Sequence, residues 1–201
     1  MKEGDFVELQ YTGNVDGFVF DTTDKDVAKK NGLPDTVKPV IICVGKGALL
    51  EGIERSVVGK TVGEPYSVTL EPKDAFGMKD AKNIQLVPTA KFKKEGLNPY
   101  PGMQVEIDGR LVVVKRVSGG RTLVDFNHPL AGKTVVYDIT ILRSVTDPSE
   151  KLSALIPGKT SFKDGIASIP EFPEQLRPEI EKQIKDVMPE VTSVSYVKEE
   201  V

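Results

Sequence analysis

Short apolar runs broken by Gly, Asp and Asn turns dominate the first 80 residues, with the period of strands rather than helices. Phe6-Val7-Glu8-Leu9-Gln10-Tyr11-Thr12 alternates apolar and polar positions after Phe6, as a half-buried strand does. Asn14-Val15-Asp16-Gly17 supplies a turn and Phe18–Asp21 the return strand. Residues 22–38 are polar and read as a surface excursion with one helical turn near Val27–Lys30, before a strand over 40–44. The period then changes: Leu49, Leu50, Ile53 and Val57 predict a helix over 48–58, stopped by Gly59. Tyr66, Val68 and Leu70 share one face of the next strand. Three strand-like runs, 103–107, 110–117 and 121–126, are joined by Asp108-Gly109 and Ser118-Gly119-Gly120. Residues 134–142 return to a β-branched strand. Leu176, Ile180, Ile184 and Val187 form a helical stripe over 174–187, with Pro178 in its first turn, and 191–197 predicts a last strand.

Charge divides the chain where the pattern does not. Residues 83–127 hold seven Lys/Arg against four Asp/Glu, whereas 147–201 hold eleven acids against seven bases and six of the fourteen prolines. Asp147-Pro148 is the expected seam before this last part. Over all 201 residues, 27 Lys+Arg stand against 30 Asp+Glu, a net charge of −3 that argues against a dedicated nucleic-acid binder. With 39% hydrophobic residues the chain can build a core, yet no apolar run approaches the roughly 18 residues of a membrane helix. The N-terminus lacks the apolar stretch of a signal peptide, and a lone cysteine points to a reducing, cytoplasmic compartment.

Several chemistries fall away for lack of residues. His128 is the single histidine and sits in a turn-like string, Asn127-His128-Pro129-Leu130, so a histidine-based nucleophilic site has one weak candidate. Cys43 lies in the apolar run Val40–Val44 and reads as a small buried hydrophobe. One Cys and one His cannot make a zinc site, and neither a metal nor a cofactor is expected. Three Gly-Lys-Thr strings start at 59, 132 and 158, but a phosphate loop needs Gly five residues earlier, where Glu54, Asn127 and Ser153 stand.

The ordered set Tyr11-Thr12-Gly13, Phe20-Asp21, Gly45-Lys46-Gly47, Leu50-Glu51-Gly52-Ile53-Glu54, Gly59, Val62-Gly63-Glu64, Asp74-Ala75-Phe76-Gly77 and Val136-Tyr137-Asp138 resembles the FK506-binding-protein (FKBP) family of peptidyl-prolyl isomerases. Within it the chain is similar to the long, chaperone-type branch that includes the SlyD-type proteins and their archaeal relatives. There an insert-in-flap domain interrupts the fold, and Asn127–Gly132 resembles the sequence by which the chain returns. The resemblance implies an α+β protein: an antiparallel half-barrel around one helix, made of 1–82 and 128–146. It also implies a mostly-β insert at 83–127; residues 147–201 read as a small C-terminal α+β module.

Carried over by position, the resemblance implies catalytic roles for Tyr11, Phe20, Asp21 and Tyr137, and a substrate groove lined by Val40, Ile42, Leu49, Leu50, Ile53 and Phe76. From the strand pattern alone Phe20, Tyr137 and Ile42 read as core, and Asp21 as a turn acid. The family's usual groove-floor Trp is Ile53 here. Rotating an Xaa–Pro amide needs no nucleophile, only a barrier of about 18–20 kcal/mol lowered by holding and drying the bond. The insert implies a surface for unfolded, proline-containing chains, with Ile84, Leu86, Val87, Phe92, Tyr100, Met103, Val113 and Val117 as candidates. Half or more of these must form the insert's own core. A holdase without turnover and a ribosome- or RNA-binding adaptor are the alternative readings. The 147–201 module has a thin core, which points to dimerisation or client contact.

Overall fold

The structure, a computed structural model, describes residues 1–198. Two compact units emerge: residues 1–70 with 135 onward, and residues 71–134. The last three residues of the expected C-terminal module, 199–201, lie outside the described residues. The protein is mixed α+β with mainly antiparallel sheets.

The first unit is built on two ten-residue strands, β1 (Phe6–Val15) and β9 (Val135–Ser144), paired antiparallel along their length. The other strands of this sheet are β2 (Phe18–Thr22), β3 (Val40–Cys43) and β4 (Tyr66–Leu70). Its order is β2-β1-β9-β4, and β3 pairs the start of β1. Alternate residues Val7, Leu9 and Val15 of β1 and Val135, Tyr137, Ile139 and Ile141 of β9 are buried, which is the two-residue period legible in the sequence. Helix α1 (Lys25–Lys30) occupies the excursion after β2; its Asp24 cap accepts hydrogen bonds from the N–H groups of Asp26 and Val27. Helix α2 (Glu51–Val57) is shorter than the apolar spacing predicts, because Ala48, Leu49 and Leu50 belong to the preceding loop. Ile53 and Val57 are buried, and Ser56 Oγ lies 3.3 Å from Tyr66 Oη, tying α2 to β4.

The C-terminal residues do not stand apart from this unit. Asp147-Pro148, expected as a seam, starts helix α4 (Pro148–Leu155): the Asp147 carboxylate accepts from Ser149 and Glu150, and Pro148 fills the first turn. A three-stranded sheet follows, β10 (Ser161–Lys163), β11 (Ile166–Pro170) and β12 (Ser193–Val197), with helix α5 (Arg177–Val187) before β12. Leu152, Ile156, Ala167, Ile169, Ile184, Met188 and Val191 share one core with Phe6, Cys43 and Val145, with Ile41 packed against it. The predicted stripe on α5 holds for Ile180, Ile184 and Val187, whereas Leu176 precedes the helix and is 52% exposed. The β10–β11 hairpin escaped the sequence reading, although Asp164-Gly165 carries the same turn signal as Asp16-Gly17 and Asp108-Gly109. At all three pairs both residues have positive φ, the geometry of a tight hairpin.

The second unit holds a four-stranded sheet of order β5-β8-β7-β6, made of β5 (Ile84–Pro88), β6 (Gln104–Ile107), β7 (Arg110–Ser118) and β8 (Arg121–Asp125). Helix α3 (Thr89–Lys94) packs its buried Phe92 with Val105, Val112 and Val124. Strand β5 and helix α3 have no counterpart in the periodicity reading, being short and flanked by Pro88. Residues 71–82 and 128–134, assigned from sequence to the first domain, group with this unit. Asn127 closes it. Its side chain accepts from the Asp80 N–H (2.9 Å) and Asn83 Nδ2 (3.3 Å), and donates to the Asp80 carbonyl (3.0 Å) and Asp125 (2.8 Å). Among the described residues no helix is long and apolar enough to cross a membrane.

Candidate functional site

Register decides which of the expected site residues meet. On β1 Gly13 lies opposite Asp21 of β2 on one side and Tyr137 of β9 on the other. The three strands thereby bring Tyr11, Phe20, Asp21 and Tyr137 together. The Tyr11 and Tyr137 rings meet edge to face at 5.8 Å, and those of Phe20 and Tyr137 at 5.7 Å and 85°. A shift of register between Gly13 and Asn14 places Phe20 in the bulge of this pairing. Gly13 is what admits the cluster: a Cβ there would lie 2.7 Å from Phe20 Cζ and 2.8 Å from Tyr137 Cε1. Sequence reading placed Gly13 in a motif without giving it this task.

The electrostatics follow from burial beside one carboxylate. The Tyr11 phenol is pushed up to about 12, first by burial, then by the charge of Asp21 and by the hydrogen bond between the two. Burial, with Asp21 and Tyr11 nearby, also raises Tyr137. Both phenols therefore stay protonated across the neutral range. Asp21 thus lies within β2 rather than in a turn, and it is an acceptor for Tyr11.

The remaining groove candidates, Phe76 apart, come from β3, α2 and the loop between them. Val40 and Ile42 pair with Leu9 and Val7, the inward positions of β1; Ile42 is buried and Val40 half-buried. Ile41 and Cys43 project to the other face, into the core shared with the C-terminal residues. Ile53 is buried at 1%, while Leu49 and Leu50 are half-buried. Phe76 belongs to the second unit, where its ring stacks on His128 at 4.5 Å and 2°. The single histidine is thus a stacking loop residue. Cys43 is buried, and burial pushes its thiol up to about 11, away from nucleophilic use. Among the described residues no group of three or more His, Cys, Asp or Glu side chains is placed to hold a metal.

In the second unit the expected chaperone-surface residues separate into two sets. Phe92 is core, and Val87 and Met103 pack against it. Ile84, Leu86 and Tyr100 are exposed at 38%, 59% and 62%, and Val113 and Val117 are half-buried. Pairing puts Leu86 opposite Leu123, Gln104 opposite Val113 and Glu106 opposite Leu111. Leu86, Val113 and Leu111 therefore lie on the sheet face away from Val105, Val112 and Val124. Leu111, 52% exposed, was missed; its alternation with buried Val112 was the available signal.

Residues 85–130 match the family described as FKBP26, IF domain. Over 144 residues the chain is 36% identical to a short-type peptidyl-prolyl cis-trans isomerase of Methanocaldococcus jannaschii, covering 70% of this chain and 92% of that protein. It is 35% identical over 127 residues to the FKBP-type 16 kDa peptidyl-prolyl cis-trans isomerase of Escherichia coli strain K12, covering 61% and 81%. It is also 35% identical over 138 residues to the FKBP-type isomerase SlyD of Aeromonas hydrophila, covering 67% and 60%.

Proposed function

The chain belongs to the FKBP-type peptidyl-prolyl cis-trans isomerases, and on that premise we propose that its first unit rotates Xaa–Pro bonds while the inserted sheet holds the unfolded chain that carries them. The observation that carries this reading is the cluster of Tyr11, Phe20 and Tyr137 with Asp21 bonded to Tyr11. In this reading β1–β4 and β9 act as the half-barrel around α2, with Val40, Ile42, Leu49, Leu50 and Ile53 completing the apolar lining within the first unit. A planar amide owes its barrier of about 18–20 kcal/mol to resonance, which also separates charge. Apolar walls that exclude water destabilise the planar form more than the twisted one, so the transition state is bound better than the ground state. Tyr11 and Tyr137 keep their protons at neutral pH and need only orient the substrate. No covalent intermediate is involved.

The insert adds chaperone activity. Ile84, Leu86, Leu111 and Tyr100 offer apolar contact for unfolded segments, and tethering raises their local concentration at the groove to the order of mM. Two of the basic side chains behind the RNA alternative have internal partners: Lys115 lies 3.5 Å from Asp125, and Arg110 lies over Phe126. Contact with a second copy through 147–198 is part of the proposal, with Ile166, Leu176 and Val197 as its exposed apolar residues.

The test is refolding of a protein limited by a slow proline step, together with suppression of its aggregation. Acceleration lost in Phe20→Ala supports the groove. Suppression without acceleration in the wild-type chain replaces the reading with a pure holdase, and salt-sensitive RNA retention favours the adaptor. Light scattering on the full chain and on Leu176→Glu checks the dimer; equal monomer masses remove it.

A further inference from the structure

The loop from Val44 to Leu50, between β3 and α2, has no strand ladder to hold it, and three of its amides converge on one carboxylate. Glu54, 5% exposed, accepts from the N–H groups of Gly45 (2.8 Å) and Gly47 (3.1 Å) through Oε2, and from Leu49 (2.8 Å) through Oε1. A carboxylate withdrawn from water is costly unless its lone pairs are filled. Three backbone donors fill them here with charge-assisted bonds, and the path of the loop is set in return. The loop ends at Leu49 and Leu50, both half-buried, and Leu50 opens α2 without a side-chain cap. A residue of α2 thereby dictates where the residues before α2 stand.

We propose that Glu54 is a positioning residue for the isomerase reaction: its carboxylate holds 45–49 so that Leu49 and Leu50 meet the Xaa–Pro segment in one fixed geometry. Glu54 itself touches no substrate. The inference rests on the assignment of Leu49 and Leu50 to the groove. It differs from a purely structural role, in which loss of Glu54 would lower activity only as far as it unfolds the chain.

Glu54→Gln removes the charge and turns an amide NH2 toward at least one of the three donors. In the full chain, at a temperature where circular dichroism shows the variant folded, kcat/KM for an Xaa–Pro tetrapeptide should fall about tenfold. The loss should lie mainly in KM, since the loop contacts substrate in ground and transition states alike. In amide NMR spectra the Gly45, Gly47 and Leu49 resonances should shift together, while those of the insert stay in place. Glu54→Asp keeps the charge one methylene further back and should give an intermediate rate; it also serves as the test if Glu54→Gln does not fold. Wild-type turnover in a folded variant whose three amides have shifted would overturn the proposal. Phe20→Ala, measured alongside, separates the two readings: unchanged turnover there removes the groove assignment itself.

Discussion

Gly13 and Phe20 stand so close that the space between them holds no side chain: a Cβ on Gly13 would come within 2.7 Å of Phe20 Cζ. Tyr137 closes the same gap from the other strand. Gly13→Ala must therefore displace two rings of the cluster, an overpacking that costs about 1–3 kcal/mol. Urea denaturation should show that loss, and turnover of a prolyl peptide should fall with it. A variant as stable and active as wild type would mean that the cluster repacks freely.

The Tyr11–Asp21 bond gives a signature in alkali. The folded-state value for Tyr11, about 12, lies above the ordinary phenol near 10. The native state thus holds its proton more tightly than the unfolded chain, and the stability this contributes is complete below pH 10 and lost as pH rises through 12. Phenolate absorbance should show a tyrosine titrating near 12 that Tyr11→Phe removes. Asp21→Asn should bring it down only part of the way, since the charge and the charged acceptor are gone while burial, the larger cause, remains.

The C-terminal residues should behave as part of the first unit. Leu152 is fully buried in a core that also contains Phe6, Cys43 and Val145. Leu152→Ala should cost about 2–5 kcal/mol. Hydrogen exchange should then speed up at Ile42 and Cys43 of β3 as well as in α4. Protection lost in residues 147–198 alone would show two separable modules.

Asn127 should govern the stability of the second unit. Its side chain satisfies Asp80, Asn83 and Asp125 at once, so Asn127→Ala leaves buried donors and acceptors without partners at about 1–3 kcal/mol. Asp125, whose carboxyl its Asn127 bonds and Lys115 hold below the usual range, should move upward in the variant. Amide exchange over 84–125 reports the first effect and carboxyl NMR the second.

Leu86 and Leu111 face away from the core of their sheet. Joint replacement by Gln should reduce aggregation suppression and slow catalysed refolding of proteins more than turnover of short peptides. Equal losses on both substrates would remove the tethering argument.

Several features were legible because they depend on neighbours in sequence. Alternation in β1 and β9, the Asp-Gly turns, the helical spacing of Ile53 and Val57 and the charge change over 83–127 all express local geometry or composition. The set of Tyr11, Phe20, Asp21 and Tyr137 could be named from the order of motifs, yet nothing local says that their side chains meet. The same limit hid Glu54, whose partners are three backbone amides that no side-chain pattern records. It also hid Leu111, whose exposure depends on which face of β7 is covered.

By itself, then, the sequence determined most of the strands, the Asp16-Gly17 and Asp108-Gly109 turns, the poverty in nucleophiles and the family, because each is written in adjacent residues or in a motif. Only the tertiary structure decided that Asp147-Pro148 begins a helix sharing its core with Phe6 and Cys43, and that Phe92 is core while Leu86 and Leu111 face outward. Burial is a property of what lies across the sheet, and strand pairing sets it between residues as far apart as Gly13 and Tyr137.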